Sequence, residues 1–176
     1  HYDHLGYGEV GALDDTDGIH FGADDNASGT IANLALARYF AKTRTNRRTL
    51  MFQWYCGEEV GLLGSTAWVQ AEKSTLPKIQ AMINMDMVGR LRESLTTYCV
   101  NSAAEFPGLL DSIKVEGLKF NPVNSSPGNS DHAGFINSGV PSLFFFTGEH
   151  SEYHTEKDTF ATLNLDGMAR VIEVVR

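Results

Sequence analysis

Two kinds of apolar pattern alternate along this chain, one with helical spacing and one of short continuous runs. Residues 1–22, rich in Gly and Asp, read as loop. From 27 to 42, Ile31, Leu34, Ala35, Leu36, Tyr39 and Phe40 leave only a thin polar stripe, which predicts a well-buried helix. After a basic turn at 43–48, residues 49–56 are apolar almost throughout and are predicted to form a central strand. A helix is predicted over 62–72, with Pro77 in the connection that follows. A second apolar strand, 79–88, ends in Asn84-Met-Asp86-Met-Val-Gly89, and 95–100 is a candidate strand. Residues 106–116 read as a helix with Pro107 near its start. The stretch 121–129 reads as loop, 131–137 as a short helix, 141–147 as a third buried strand, 148–159 as a polar loop and 165–176 as a terminal helix. Strands alternating with helices predict an α/β domain, its sheet covered on both faces. No repeat, low-complexity tract or interior boundary divides residues 1–176, which read as one domain.

Composition narrows the class. A chain of 176 residues, 42% hydrophobic and 20% charged, is long enough for one sizeable core. A net charge of -8 argues against the binding of nucleic acid through its phosphates. No apolar run approaches the roughly 18–20 residues needed to span a bilayer. The longest strongly apolar stretch is Val140 to Phe146. Two cysteines, Cys56 and Cys99, make no disulfide framework; both fall in strand-like segments and are expected to be buried thiols. The chain opens at His1 with neither Met nor signal peptide, and a fragment or processed product is expected.

The candidate chemistry gathers where predicted strands end. Glu58 and Glu59 follow the first strand, Asp86 closes the second, His154 lies in the loop after the third, and Asp25 precedes a helix. In open α/β sheets functional groups collect beyond the carboxyl ends of the strands. His1 and Asp3 add an imidazole and a carboxylate. Adjacent side chains at a strand end diverge, so one of Glu58 and Glu59 can hold a metal while the other moves a proton. Mixed His and carboxylate donors suit Zn²⁺ and similar divalent ions. Singly, each residue has a plainer reading: Asp25 as a helix cap, the glutamates as solvated, the histidines as surface residues. Asp86, flanked by Ile83, Met85, Met87 and Val88, is expected to be buried and therefore paired or metal-bound. Phe144 to Phe146 read as core strand rather than pocket. His4, His20 and His150 read as solvent-facing or loop-stabilising. Asp131 and His132 read as lining the site without ligating, and Arg90 and Arg92 as forming local salt bridges.

Six segments together resemble the M28 family of zinc aminopeptidases: His1-Tyr-Asp3-His-Leu-Gly, Gly22-Ala-Asp-Asp25-Asn-Ala-Ser-Gly29, Gly57-Glu-Glu-Val-Gly-Leu-Leu-Gly-Ser65, Asn84-Met-Asp86-Met-Val-Gly89, Ser130-Asp-His-Ala133 and Tyr153-His154. The resemblance spans nearly the whole chain and is closest in flavour to exported bacterial members. It implies a three-layer α/β/α fold around a central mixed, mostly parallel sheet that lacks its first strands here. It implies two Zn²⁺ ions, one held by His1 and Asp86, the other by Glu59 and His154, with Asp25 bridging. Asp3 would hydrogen-bond His1, Glu58 would serve as general base and acid, and Tyr153 would donate to the developing oxyanion. Peptide substrates, an extracytoplasmic location and additional domains in the full-length protein are implied as well. The competing readings are a glutaminyl-cyclase-like single-zinc acyltransferase, a carboxypeptidase-like relative and a non-catalytic domain of the same fold.

Overall fold

The computed structural model describes residues 1–8 and 10–176; Glu9, within the predicted loop 1–22, lies outside the described residues. Four strands form one sheet: Met82–Met85 (β1), Leu95–Tyr98 (β2), Phe120–Pro122 (β3) and Ser142–Phe146 (β4), in the spatial order β1-β4-β2-β3. β1 runs parallel to β4 (Met82 opposite Ser142) and β2 parallel to β3 (Leu95 opposite Phe120). β4 and β2 are antiparallel, with Thr97 opposite Phe145. The sheet is therefore mixed, with two of its three pairings parallel.

Among the described residues five α-helices accompany it: Gly29–Thr43 (α1), Leu63–Ala71 (α2), Phe106–Ser112 (α3), Ala133–Asn137 (α4) and Leu165–Val175 (α5). Alternation along β4 sends its side chains to opposite faces. Leu143 and Phe145 join Ala32 and Leu36 of α1, Leu110 of α3 and Val171 and Val174 of α5 in the main core. A smaller core joins Val69 of α2 and Phe135 of α4 to Leu76 and Val140, with Trp68 stacked on Phe135. Two cores, on helices α1, α3 and α5 and on helices α2 and α4, give the three-layer α/β/α arrangement expected. Among the described residues no helix is long and apolar enough to cross a membrane.

Several expectations are corrected. Residues 49–56 form no strand and join no ladder, and Leu50 and Met51 are exposed. Isolated bonds tie the segment down: Tyr2 N donates to Tyr55 O, Asn33 Nδ2 to Gln53 O, Gly64 N to Cys56 O, and Trp54 Nε1 to Thr30 O. An unbroken apolar run predicts burial on both faces of a sheet; among the described residues no strand pairs with this one. Helix α1 buries Gly29, Ala32 and Leu36 while Ile31 and Leu34 stay exposed, so it is half-buried rather than enclosed. Part of the predicted 121–129 loop forms the edge strand β3, where a proline, lacking an N–H, is tolerated. Cys56 is exposed and only Cys99 is buried, and neither lies in a strand.

The segment that matters most for the site is Ala23–Ser28, where Asp25 (φ -106, ψ 91) and Asn26 (φ -132, ψ 43) leave helical backbone angles just before α1. Buried side chains hold this irregular turn. Asn26 Oδ1 accepts from Gly29 N at 3.0 Å and Met87 N at 3.2 Å, and its Nδ2 donates to Met85 O at 3.2 Å. Asp158, fully buried, accepts from Asp24 N (3.1 and 2.9 Å) and Asp25 N (3.0 Å), with the Arg90 guanidinium 3.4 Å away. Asp24 Oδ1 accepts from Gly89 N at 2.7 Å, joining the turn to the chain beyond β1.

Two stability measurements check this account. In denaturant titrations Phe145→Ala should lose about 3–5 kcal/mol, as expected for a buried aromatic. Phe160→Ala, at a side chain 71% exposed, should stay within about 0.5 kcal/mol of wild type. Asp158→Asn replaces one of the two acceptor oxygens with a donor facing two N–H groups and should cost about 1.5–3 kcal/mol, the range for hydrogen bonds to a charged group.

Candidate metal centre

β1 ends at Met85 because Asp86 makes the last bond toward β4 (N to Phe145 O, 3.3 Å) and Met87 turns away at φ 52. This places Asp86 at the sheet's carboxyl edge. Glu58 and Glu59 sit in the turn before α2. The turn opens at Gly57 (φ 72) and folds back through bonds from Gly61 N and Leu62 N to Glu58 O. The Asp3 carboxylate caps that turn, accepting from Gly57 N at 2.8 Å and Glu58 N at 3.5 Å.

The polar groups converge in a definite order. His1 Nε2 lies 3.2 Å from Asp25 Oδ1 and 3.4 Å from Asp86 Oδ1. His154 Nε2 lies 3.2 Å from Asp25 Oδ2 and 3.1 Å from Glu59 Oε2. Asp25 thus turns one oxygen to each imidazole. Glu58 Oε2 stands 3.9 Å from His1 Nε2. Donor atoms of His1, Asp25 and Glu59, and of His1, Glu58 and Asp86, fall within 4.8 Å of one another in each set.

Each imidazole is oriented from behind. His154 Nδ1 donates to Gly11 O at 2.8 Å, and His1 Nδ1 to Asp3 O at 3.0 Å, leaving both Nε2 atoms facing inward. The Asp3 carboxylate is 3.6 Å from His1 Nδ1, so the bond expected of its side chain is made by its main-chain carbonyl, and the carboxylate serves the Gly57–Glu58 turn. Asp86 has one oxygen occupied: Ser130 Oγ donates to Oδ2 at 2.6 Å and itself accepts from Asn84 Nδ2 at 2.7 Å. Asp86 Oδ1 and His154 Nε2 are buried without a hydrogen-bond partner.

Four carboxylates and two imidazoles in so small a volume need positive charge. Burial works against protonated His1, yet bonds to Asp25 and Asp86 override it and push its pKa up to about 12. The same opposition, with Asp25 and Glu59 as partners, raises His154 to about 10. Burial tends to raise Glu59, but the facing His154 imidazole and the hydrogen bond from His4 hold it well below the usual carboxylate range. Glu58 has no such donor: burial pushes it up to about 8, the His1 charge opposes, and Asp86, Glu59 and Asp131 add to the rise. Protons on the imidazoles stand where cations would act, and the unpartnered atoms with the mixed N and O donors fit divalent metal.

A cavity of about 100 Å³ opens on this cluster, lined by Asp25, Glu58, Glu59 and Asp86 on one side and Met87, Phe144, Phe146 and Tyr153 on the other. Phe144 and Phe146 therefore line the cavity as well as belonging to β4, correcting the reading of that run as core alone. Tyr153 stacks on His154 with ring centroids 3.8 Å apart, and burial followed by the nearby carboxylates raises its hydroxyl pKa, so it stays a donor. His132 is fully buried, stacks on Phe144 and is kept neutral chiefly by burial. Arg90 pairs with Glu152 and Asp158, and Arg92 reaches Glu149 O. A larger hollow of about 480 Å³ between α3 and β3 contains no imidazole and lies apart from the cluster.

Three partners of the cluster carry no periodic signal: His4, Ser130 and Asp158. None of the three histidines read as solvent-facing or loop-stabilising points to solvent. His4 Nδ1 lies 2.7 Å from Glu59 Oε1, His20 Nε2 lies 2.8 Å from Asp14 Oδ1, and His150 Nε2 lies 3.2 Å from Asp24 Oδ2. The signals available were Ser130 within a quoted motif and the spacing of Asp158 four residues after His154.

The chain is 33% identical over 169 residues to a protein named probable leucine aminopeptidase from Trichophyton verrucosum, covering 88% of this chain and 45% of the relative. The LapA aminopeptidase of Legionella pneumophila superposes with a TM-score of 0.78 at 24% identity, over 93% of this chain and 47% of that one. A zinc aminopeptidase from Bacillus subtilis, BSAP, gives 0.75 at 24% identity, over 93% and 42%. At these identities the two structures show the fold alone, and the chain spans under half the length of each of these three proteins. The family model described as Peptidase family M28 matches residues 1–176 from end to end. With that match and the relative above, the chain belongs to peptidase family M28.

Proposed function

We propose that this chain forms the catalytic centre of a zinc-dependent aminopeptidase that removes the N-terminal residue of peptides. The observation that carries the reading is the divided Asp25 carboxylate, one oxygen on each inward-facing imidazole, with Glu58 beside it. The names of the relative and of the structural neighbours support the same reading. His1, Asp86 and Asp25 would hold one zinc, and Asp25, Glu59 and His154 the other. Bound zinc supplies Lewis acidity, acidifying a water and polarising the scissile carbonyl.

The chain's own residues do the rest. Glu58 takes the proton of the attacking water as its oxygen bonds to the carbonyl carbon. It then delivers that proton to the amine nitrogen as the C–N bond breaks. The Tyr153 hydroxyl donates to the carbonyl oxygen as negative charge develops. The cluster's carboxylates attract the substrate's free α-ammonium. Met87, Phe144 and Phe146 offer an apolar wall to a single side chain. Asp158 and Asn26 hold Asp25 still, and Asp3 holds the Glu58 turn. The second imidazole–carboxylate pair, His154 with Glu59, supports this reading over a single-zinc acyltransferase.

The test pairs metal analysis with hydrolysis of an aminoacyl anilide. Wild type should bind zinc, cleave the anilide and lose activity to a chelator. Glu58→Gln should keep its zinc while turnover falls at least ~10²-fold, the low end for a positioned acid–base group. Near-normal turnover in zinc-loaded Glu58→Gln would rule out Glu58 as the proton carrier.

A further inference from the structure

The two outer carboxylates of the cluster are treated alike by their surroundings. Asp86 gives Oδ1 to His1, while Oδ2 is occupied by the Ser130 hydroxyl at 2.6 Å. Glu59 gives Oε2 to His154, while Oε1 is occupied by His4 Nδ1 at 2.7 Å. The partner of a carboxylate oxygen at this distance is a donor, so Nδ1 carries the proton.

The His4 ring is itself fixed on several sides. Its side chain is 7% exposed, as is that of Glu59. It meets the His154 ring edge-on, with centroids 5.6 Å apart at 74°. Its other neighbour is Gly22, at φ +59, where a Cβ would lie 2.4 Å from the His4 ring carbon Cγ and 2.7 Å from Cδ2. Only glycine leaves room for the ring at that point. His4 also follows His1 by three residues, so one short segment serves both halves of the cluster.

We propose that His4 is the positioning residue of the Glu59 half: by occupying Oε1 it restricts Glu59 to one-oxygen ligation through Oε2 and fixes the second cation position, as Ser130 does for Asp86. This rests on the assignment of Glu59 as a metal ligand. A glutamate free to rotate would offer both oxygens or swing from His154. A donor on one oxygen removes both alternatives and leaves room for other ligands. Outer partners of this kind typically contribute about 10–100-fold in metal affinity.

Zinc competition against a chromophoric chelator, on the full chain, measures both affinities. His4→Ala should weaken one of two zinc positions about 10–100-fold and leave the other unchanged. Denaturant stability of the metal-free protein should stay near wild type. His4→Asn, whose amide carries an N–H as far from Cβ as Nδ1, should recover most of the lost affinity. A Glu59→Gln control should lose the same position. Unchanged affinities in His4→Ala, or equal loss at both positions alongside loss of metal-free stability, would overturn the proposal, the latter marking His4 as a simple loop staple. Retention of both zinc ions by Glu59→Gln would instead overturn the ligand assignment beneath it.

Discussion

The site depends on one carboxylate serving two imidazoles. Asp25 can face His1 and His154 at once only if its main chain is held at the irregular turn before α1. That turn is unfavourable unless its exposed backbone groups find partners. Asn26 and Asp158 supply them, and both are buried. Asn26 ties the turn to the end of β1, so the strand that delivers Asp86 also anchors Asp25. Asp158 ties it to the loop that delivers His154. Three chain segments are thus registered to one another through hydrogen bonds that converge on the turn carrying Asp25.

Charge gives this registration its purpose. Buried carboxylates repel one another, and burial favours their neutral forms. Each ligand oxygen of the cluster faces an imidazole or a donor. Glu58 is the exception, with no donor and a pKa pushed up to about 8. The same burial therefore separates two neighbours in sequence: Glu59, held ionised by His154 and His4, and Glu58, poised to exchange a proton. The turn before α2 carries both side chains, and their different hydrogen-bond partners produce the separation.

The alternation of strands and helices was legible, since apolar periodicity follows from burial. Helices α2 and α5 and strands β1 and β4 lie within the predicted stretches. The misjudged segment, 49–56, fails for an instructive reason. Its apolar run joins no strand among the described residues, and sequence pattern registers hydrophobicity without saying what covers it. β3 was hidden because a three-residue edge strand ending in proline has no pattern to detect. In the site, the residues that converge were identifiable because strand ends collect functional groups and because their motifs resemble those of a family. His4, Ser130 and Asp158 were not, since each acts through an oxygen of another residue brought near only by folding. A histidine beside glycine-rich loops looks the same in sequence whether it faces solvent or a buried glutamate.

The most direct test of the shared carboxylate is the anomalous scattering of zinc in crystals of the zinc-loaded protein. The account predicts two peaks roughly 3.5–4 Å apart, the usual spacing of paired catalytic metals. One should lie on Asp25 Oδ1 with His1 and Asp86, the other on Oδ2 with His154 and Glu59. A single peak at saturating zinc, or two peaks of which only one touches Asp25, would contradict it.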